Sequence, residues 1–568
     1  TGVDESVIEE LALIKTLRGI VDWVDDHRDD PAVAGDGSPG AAGRGVGEHA
    51  SPAASAVPAA GPKASAVAPA PVAASTPQRY VPCLVELPAA ATGASEAAAG
   101  VAGLVVAVVD DSTGVADRVA TRLGAAGATV VRVRADEPVP AGVHTVVDLT
   151  ALAPAAGATT TAVIDQFTRL RTATQAGAAR IVVVTGSGGH LGLGGTPPGA
   201  DLVAVGAAAQ GMVRTFAREL PSVATRLVDV DVSAGADDVA ERILVELVAR
   251  DTPIDVGVTA TGRRTVTIAA RPLDVDAGLE SGIGEDRDLG PGSVVVVTGG
   301  ARGIGALLAI GLARSTGCGI ELIGRSALPL ADEPPDLAGA SDAVAVRQAI
   351  IRRGELSRPA EIESATARVL ADREIRGTLA ALAQHAAFVA YRSLDVSDTE
   401  ALATALDEIR STRGRLDGVV HAAGVRDDKL IRDKSPASFA RVFDTKVDPA
   451  ITIVESVGDR GFVLLFASVS GVFGNVGQVD YAAANSALDG IARRARQAMP
   501  GSRVVAVDWG PWAGTGMVSP ELAREYERRG VGLIDPVAGV DAALAELRAG
   551  APEPQVVVMC ARPDVMGA

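Results

Sequence analysis

Ser468, Tyr481 and Asn485 lie in the stretch SVSGVFGNVGQVDYAAAN, residues 468–485. A serine closing the apolar run FVLLFA, with a tyrosine thirteen residues on, predicts a strand, a loop and a helix. So arranged, the two hydroxyls converge on one carbonyl oxygen, the phenol donating a proton and the serine a supporting hydrogen bond. The chemistry is hydride transfer to a ketone. A tyrosine opening a packed helix and a serine in a turn would give the same letters, so the pair needs a hydride source nearby.

The segment VVVVTGGARGIG, residues 294–305, supplies the frame for one. It is a strand running into a glycine-rich turn that opens a helix. Gly299 permits the turn, Gly303 lets the backbone approach a pyrophosphate, and Gly305 allows close helix packing. Thr298, Gly300, Arg302 and Ile304 complete the expected cofactor loop. The next strand ends at Arg325 and Ser326, where an acid would hold a free ribose hydroxyl and an arginine suits the 2′-phosphate of NADP. The expected cofactor is therefore NADPH. Two further strand ends, LDVSD with Asp395 and Val396 and GVVHAAG with Ala422, Ala423 and Gly424, belong at the carboxyl edge of the same parallel sheet. Asp395 is expected at the adenine, the 422–424 turn at the ribose, and Gly510 with Pro511 over the nicotinamide. Trp509 and Trp512 are expected to pack.

TGGARGIG, HAAGV, FDTKVDPA, the serine-tyrosine-asparagine stretch and VDWGPW together resemble the ketoreductase domain of type I polyketide synthases, a branch of the short-chain dehydrogenase/reductase superfamily. GRSALP, REIRGTLAAL, DDKLIRDKSPASFARVFDTKV and FGNVGQVDYAAAN are most similar to the iterative enediyne and polyunsaturated-fatty-acid synthase type. The resemblance implies NADPH-dependent reduction of a 3-ketoacyl thioester carried on a phosphopantetheinyl acyl carrier protein, with other synthase domains as partners. The lysine usual four residues after the tyrosine is replaced by Asn485, and the resemblance moves it to Lys446; a cation near the phenol favours the phenolate that forms. Lys429 and Lys434 are expected to be solvated charges. Asp428, in Arg-Asp-Asp where the family has Leu-Asp-Asp, and Phe473, where the opposite stereochemical class has tryptophan, imply a 3R (D) alcohol. The segment 519–536 is expected to close as a lid.

The expected fold class is α/β, with two tandem Rossmann-like, doubly wound parallel-sheet subdomains: a degenerate structural one at 80–285 and a catalytic one at 286–568. The first repeats the pattern of the second, but its turn carries Asp110 and Asp111, repulsive to a pyrophosphate, and VGAAAQGMVRTFAREL stands without a tyrosine where the catalytic helix belongs. TGSGGHLGLGG is expected to be a loop, since TPPG follows it. A helical insertion is expected at about 327–382. Residues 31–79, rich in Ala, Pro, Gly and Ser, form an expected linker, and 1–30 an amphipathic helix that resembles the end of an acyl carrier protein.

The net charge of −18 argues against nucleic acid and anionic membranes, and no run approaches a membrane span. Three scattered cysteines and six histidines lack ligand spacing, so neither a metal site nor a disulfide framework is expected. The expected setting is a larger cytoplasmic polypeptide. A catalytically silent docking module and a reductase of free ketones or sugars are the competing readings.

Overall fold

The computed structural model describes residues 74–567 apart from 91–98, 155–158, 195–199, 250–252, 274–288, 331, 459–460, 515–517, 519 and 550–551. The leading helix expected at 1–30 and nearly all of the linker lie outside these residues.

Short β-branched runs alternate with amphipathic segments, the pattern that builds a parallel sheet covered by helices on both faces. In the first half these are β1 (Ala74–Ser75), β2 (Gln78–Leu87), β3 (Val105–Val109), α1 (Val115–Ala125), β4 (Thr129–Val133), β5 (Thr145–Ala151), α2 (Thr159–Gln175), β6 (Arg180–Thr185), α3 (Ala200–Glu219), β7 (Ala224–Val230), α4 (Ala236–Val248), β8 (Asp255–Thr259) and β9 (Gly262–Ala270). The second half opens with β10 (Val294–Thr298), α5 (Gly303–Thr316) and β11 (Gly319–Gly324). The insertion follows as α6 (Pro335–Ala338), α7 (Ala343–Arg353) and α8 (Pro359–Leu382). Then come β12 (Val389–Ser393), α9 (Thr399–Arg413), β13 (Gly418–His421), α10 (Pro436–Asp444), α11 (Val447–Val457), β14 (Phe462–Ser468), α12 (Val469–Phe473) and α13 (Val479–Ala498). The chain ends with β15 (Arg503–Trp509), α14 (Pro520–Arg528), β16 (Leu533–Ile534), α15 (Pro536–Arg548), β17 (Gln555–Met559) and α16 (Pro563–Gly567).

Both halves contribute to one 15-stranded sheet, ordered β12-β11-β10-β13-β14-β15-β17-β2-β9-β8-β7-β6-β5-β3-β4. The strands from β12 to β17 are all parallel, and the order reverses between β10 and β13, the switch point where such sheets bind ligands. β2 joins the halves, pairing antiparallel with β17 on one side and β9 on the other. This corrects the end of the expected linker. Residues 74–79 belong to the fold because Ala74–Ser75 pairs with β16, and Arg79 is held by the buried Glu546 and by Glu553.

One core cluster crosses between the halves, placing Ala204, Ala208, Met212 and Phe216 of α3 with Ala483, Ala487 and Leu488 of α13. The two helices touch nearly backbone to backbone. A methyl at Gly211 would collide with the Ala482 carbonyl, and one at Gly490 with the Val203 carbonyl. In the insertion, α8 lays Ile375 and Leu382 against Leu308 and Leu312 of α5, while its first turns cover α6 and α7.

Candidate active site

The glycine loop between β10 and α5 is built by close approach. Gly299 adopts φ +68, and a methyl there would lie 2.8 Å from the Ala423 backbone; a side chain on Gly305 would strike the Gly299 carbonyl. A cavity of about 920 Å³ runs from this loop to Tyr481. Gly299, Arg302, Gly303, Ile304 and Gly305 line one end with Arg325, Ser326 and Val396; Ala422, Ala423, Gly424, Gly510 and Pro511 line its length. The size, the glycine cradle and the two arginines fit a nicotinamide dinucleotide.

Three of the expected cofactor residues stand back from the cavity. A side chain on Gly300 would run into Val297, so this glycine serves strand packing. Thr298 is buried, with its hydroxyl 2.8 Å from His421 Nδ1. Asp395 is exposed, and its carboxylate accepts from the Ser397 amide and hydroxyl. Sequence reasoning missed Glu374. Carried on α8 of the insertion, it lines the cavity and accepts from the Gly303 amide at 2.7 Å, at the N-terminus of α5.

At the other end, Ser468 closes β14, and Tyr481 and Asn485 sit one turn apart on α13. Lys446 follows α10 and is buried; its Nζ donates to Asn485 Oδ1 at 2.9 Å and to the Phe466 carbonyl at 2.6 Å, and lies 5.3 Å from the Tyr481 ring centre. Asn485 Nδ2 donates to the Tyr481 carbonyl at 2.7 Å, which fixes the amide's orientation. Ser468 Oγ accepts from Ser470 Oγ at 2.9 Å, so its own proton is available to a substrate oxygen. Burial raises the phenol of Tyr481 above its ordinary range, and Arg426, Asn485 and Ser468 oppose the rise. Burial lowers Lys446 to about 7, while the nearby Asp508 and Asp489 raise it.

His421 was part of the HAAGV motif, yet its task is visible only in three dimensions. It is buried and pushed down to about 3, chiefly by burial, so the ring is neutral. Nε2 donates to the Lys446 carbonyl at 3.0 Å and Nδ1 accepts from Thr298, linking the cofactor loop to the lysine's backbone.

The expectation for Lys434 is overturned. It is fully buried, pairs with Asp480 at 2.6 Å, and also donates to the Asp427 carbonyl. Asp480 in turn accepts from the Tyr481 amide at 2.9 Å, so this ion pair fixes the helix start that presents the phenol. Lys429 keeps the expected exposure and pairs with Asp427. Asp428 is exposed and reaches the cavity through Gln478, which donates to it at 3.0 Å. Phe473 is absent from the cavity wall and packs with Tyr80, Val531 and Met559. Of the expected lid, Tyr526, Arg529 and Val531 line the cavity, joined by Val518 just before it. Trp509 and Trp512 are buried and meet edge to face, as expected of packing residues.

The first half reaches into this site. Glu219, ending α3, accepts from the Gly477 amide at 2.8 Å and from the Ile431 amide. Arg218 lines the cavity and donates to the carbonyls of Phe473 and Met566. Arg214 donates to the Gly471 carbonyl at 3.0 Å while paired with Asp255. All three hold the loop between Ser468 and Tyr481.

Residues 293–514 match the family model described as the KR domain. They are a ketoreductase domain of the polyketide-synthase kind. Around this KR domain the chain is 35% identical over 334 residues to a polyunsaturated fatty acid synthase protein of Thraustochytrium sp., covering 56% of the chain and 11% of that protein. It is 34% identical over 248 residues to erythronolide synthase EryA3 of Saccharopolyspora erythraea, covering 44% of the chain and 6% of the relative. The chain thus spans about a tenth or less of the length of these curated relatives. Among solved structures it is similar to the first ketoreductase of the tylosin polyketide synthase, with 26% identity, TM-score 0.59, and coverage of 85% of this chain and 92% of that one. An A-type ketoreductase from a modular polyketide synthase shares the fold at TM-score 0.63 and 22% identity, with coverage of 85% and 93%. Among the described residues, no helix of the KR domain or its companion half is long and apolar enough to cross a membrane.

Proposed function

We propose that this KR domain reduces a carrier-bound 3-ketoacyl thioester to the 3R-hydroxyacyl thioester with NADPH, inside an iterative synthase of the fatty-acid-like or enediyne kind. The observation that carries the reading is the Lys446–Asn485–Tyr481 arrangement beside Ser468, at one end of a cavity whose other end is the glycine loop. When bound, the cofactor supplies the hydride. Tyr481 donates the proton to the ketone oxygen, and Ser468, already accepting from Ser470, donates its own hydrogen bond to that oxygen. Lys446 offsets the charge of the phenolate left behind, and Asn485 holds the ammonium in place.

Arg302 and Arg325, lining the cavity with no acid at the end of β11, support a 2′-phosphate and hence NADPH. The proposed product hand rests on Asp428, which acts on the substrate loop through Gln478, and on a phenylalanine at 473 that leaves the cavity wall alone. The partners proposed are an acyl carrier protein bearing a phosphopantetheine arm and neighbouring synthase domains, with the 519–536 segment closing over the arm. The test is oxidation of NADPH against NADH with a 3-ketoacyl thioester of the carrier protein, the product being hydrolysed and resolved on a chiral column. A preference for NADPH and a 3R product are expected; equal use of NADH, or a 3S product, would remove the corresponding part of the proposal.

A further inference from the structure

Behind Lys446 lies a group of charges that the reduction itself does not use. Asp489, two turns beyond Tyr481 on α13, and Asp508, on β15, are both buried. Gln555 donates to one oxygen of Asp508 at 2.8 Å and accepts from Arg493 at 2.7 Å. The remaining oxygen of Asp508, Oδ1, and Oδ1 of Asp489 each lack an ordinary donor, although the two carboxyls lie in contact. Two carboxylates cannot both ionise at such a distance inside a protein, whereas one proton between them satisfies both oxygens.

We propose that Asp489 and Asp508 form a proton-sharing acid pair, and that its single retained negative charge holds Lys446 as an ammonium against Tyr481. The pair consists of positioning residues, acting through Lys446. Burial pushes Asp489 up to about 7, against the pull of Arg493, Arg214 and its hydrogen bond with Asp508. Burial raises Asp508 further, and the charge of Asp489 adds to that rise. The charged and titratable groups around the lysine are Tyr481 and Asp489 on α13, Asp508 on β15 and the neutral His421 on β13; Arg493 and Arg214 stand behind the acids. Without a nearby anion, full burial would drive the ammonium below neutrality. With one shared proton, the pair supplies one charge, neither two nor none.

This charge count gives a non-additive expectation. Replacing either acid by asparagine leaves the other ionised and hydrogen-bonded to the new amide, so one negative charge remains. Replacing both removes it. The inference rests on the proposed role of Lys446 in reduction, but its test does not require turnover. The chain has only five lysines, Lys15, Lys63, Lys429, Lys434 and Lys446, so labelling lysine with 13C at Cε gives a spectrum in which each is titrated separately, with Lys446→Arg making the assignment. Asp489→Asn and Asp508→Asn are expected to leave the Lys446 titration within about half a pH unit of the unaltered chain, and the double variant to lower it by about one unit or more. Infrared spectra of the single variants supply the second readout: a protonated-carboxyl stretch present at pH 7 in the unaltered chain disappears from each. A double variant that titrates like the unaltered chain, a single variant that shifts as far as the double, or a protonated-carboxyl stretch that survives in both single variants would overturn the proposal. In reduction, the alkaline fall of kcat/KM follows the same order; a chain that shows the titrations without reducing thioesters would refute the proposed function and leave the acid pair standing.

Discussion

The two halves each run a strand into a turn that opens a helix, and they differ in what meets the helix's first amides. In the first half the anion is local: Asp111 accepts from the amides of Thr113 and Ala116, both at 2.9 Å, and Asp110 is paired with Arg132. In the second half the turn is made of glycines, and the anion is Glu374, contributed by α8 from 71 residues away. A carboxylate next to the turn in sequence closes the first site for good. A carboxylate borne on another helix leaves the second site exchangeable, and a pyrophosphate can take its place. The same contrast separates α3 from α13. They pack against each other through glycines, yet only α13 carries the phenol, and α3 contributes Arg214, Arg218 and Glu219 to hold the loop before it.

The comparison breaks most visibly at the phenol. Tyr481→Phe is expected to lower kcat by about 10²- to 10⁴-fold, the usual worth of a positioned general acid, with NADPH affinity unchanged by fluorescence titration. Next comes the ion pair under it. Lys434→Met strands the buried Asp480 carboxylate and is expected to cost about 3–5 kcal/mol in urea unfolding, as loss of one partner of a buried pair does; a loss below about 1 kcal/mol would return Lys434 to the solvated role its sequence suggests.

A residue of the first half provides the third test. Glu219→Ala leaves two amides of the second half without their acceptor, which is expected to cost about 1–3 kcal/mol of stability and to lower kcat more than it raises KM. An unaltered kcat would mean that α3 contributes packing alone. Fourth, Glu374→Gln removes the competing carboxylate at the start of α5 and is expected to tighten NADPH binding by about threefold, from the worth of an anion at a helix N-terminus. Weaker binding would make Glu374 a ligand of the cofactor instead. The smallest effect belongs to the first half's own turn: Asp111→Ala is expected to cost about 1 kcal/mol as a lost cap, leaving the NADPH dissociation constant where it was.

What the sequence revealed was what depends on neighbours along the chain. Ser468, Tyr481 and Asn485 are spaced by one strand end and one helix, and the glycine loop by one turn, so local patterns place them. Lys446 needed the family resemblance, because its partner Asn485 is 39 residues away. Lys434 was misread because it stands in the charge-rich segment DDKLIRDKS, and nothing there announces that its ammonium turns inward to an acid 46 residues on. The end of the linker was misread for a related reason: an Ala-Ser pair becomes strand only when β16, far along the chain, offers an edge. Glu374 lies in REIRGTLAAL, where it looks like any helix-surface acid; only the packing of α8 on α5 brings it to the Gly303 amide. Asp489 and Asp508 gave no signal either, since they stand on different elements and the pair exists only where the strand passes behind the helix.

The most direct measurement is NADPH oxidation with a short 3-ketoacyl pantetheine thioester, run on the unaltered chain and on Tyr481→Phe, with NADPH binding recorded for both. The account predicts turnover by the unaltered chain, its loss in the variant, and equal cofactor affinity. Binding of NADPH by a folded, unaltered chain that oxidises none of it would contradict the reductase and leave a docking module in its place.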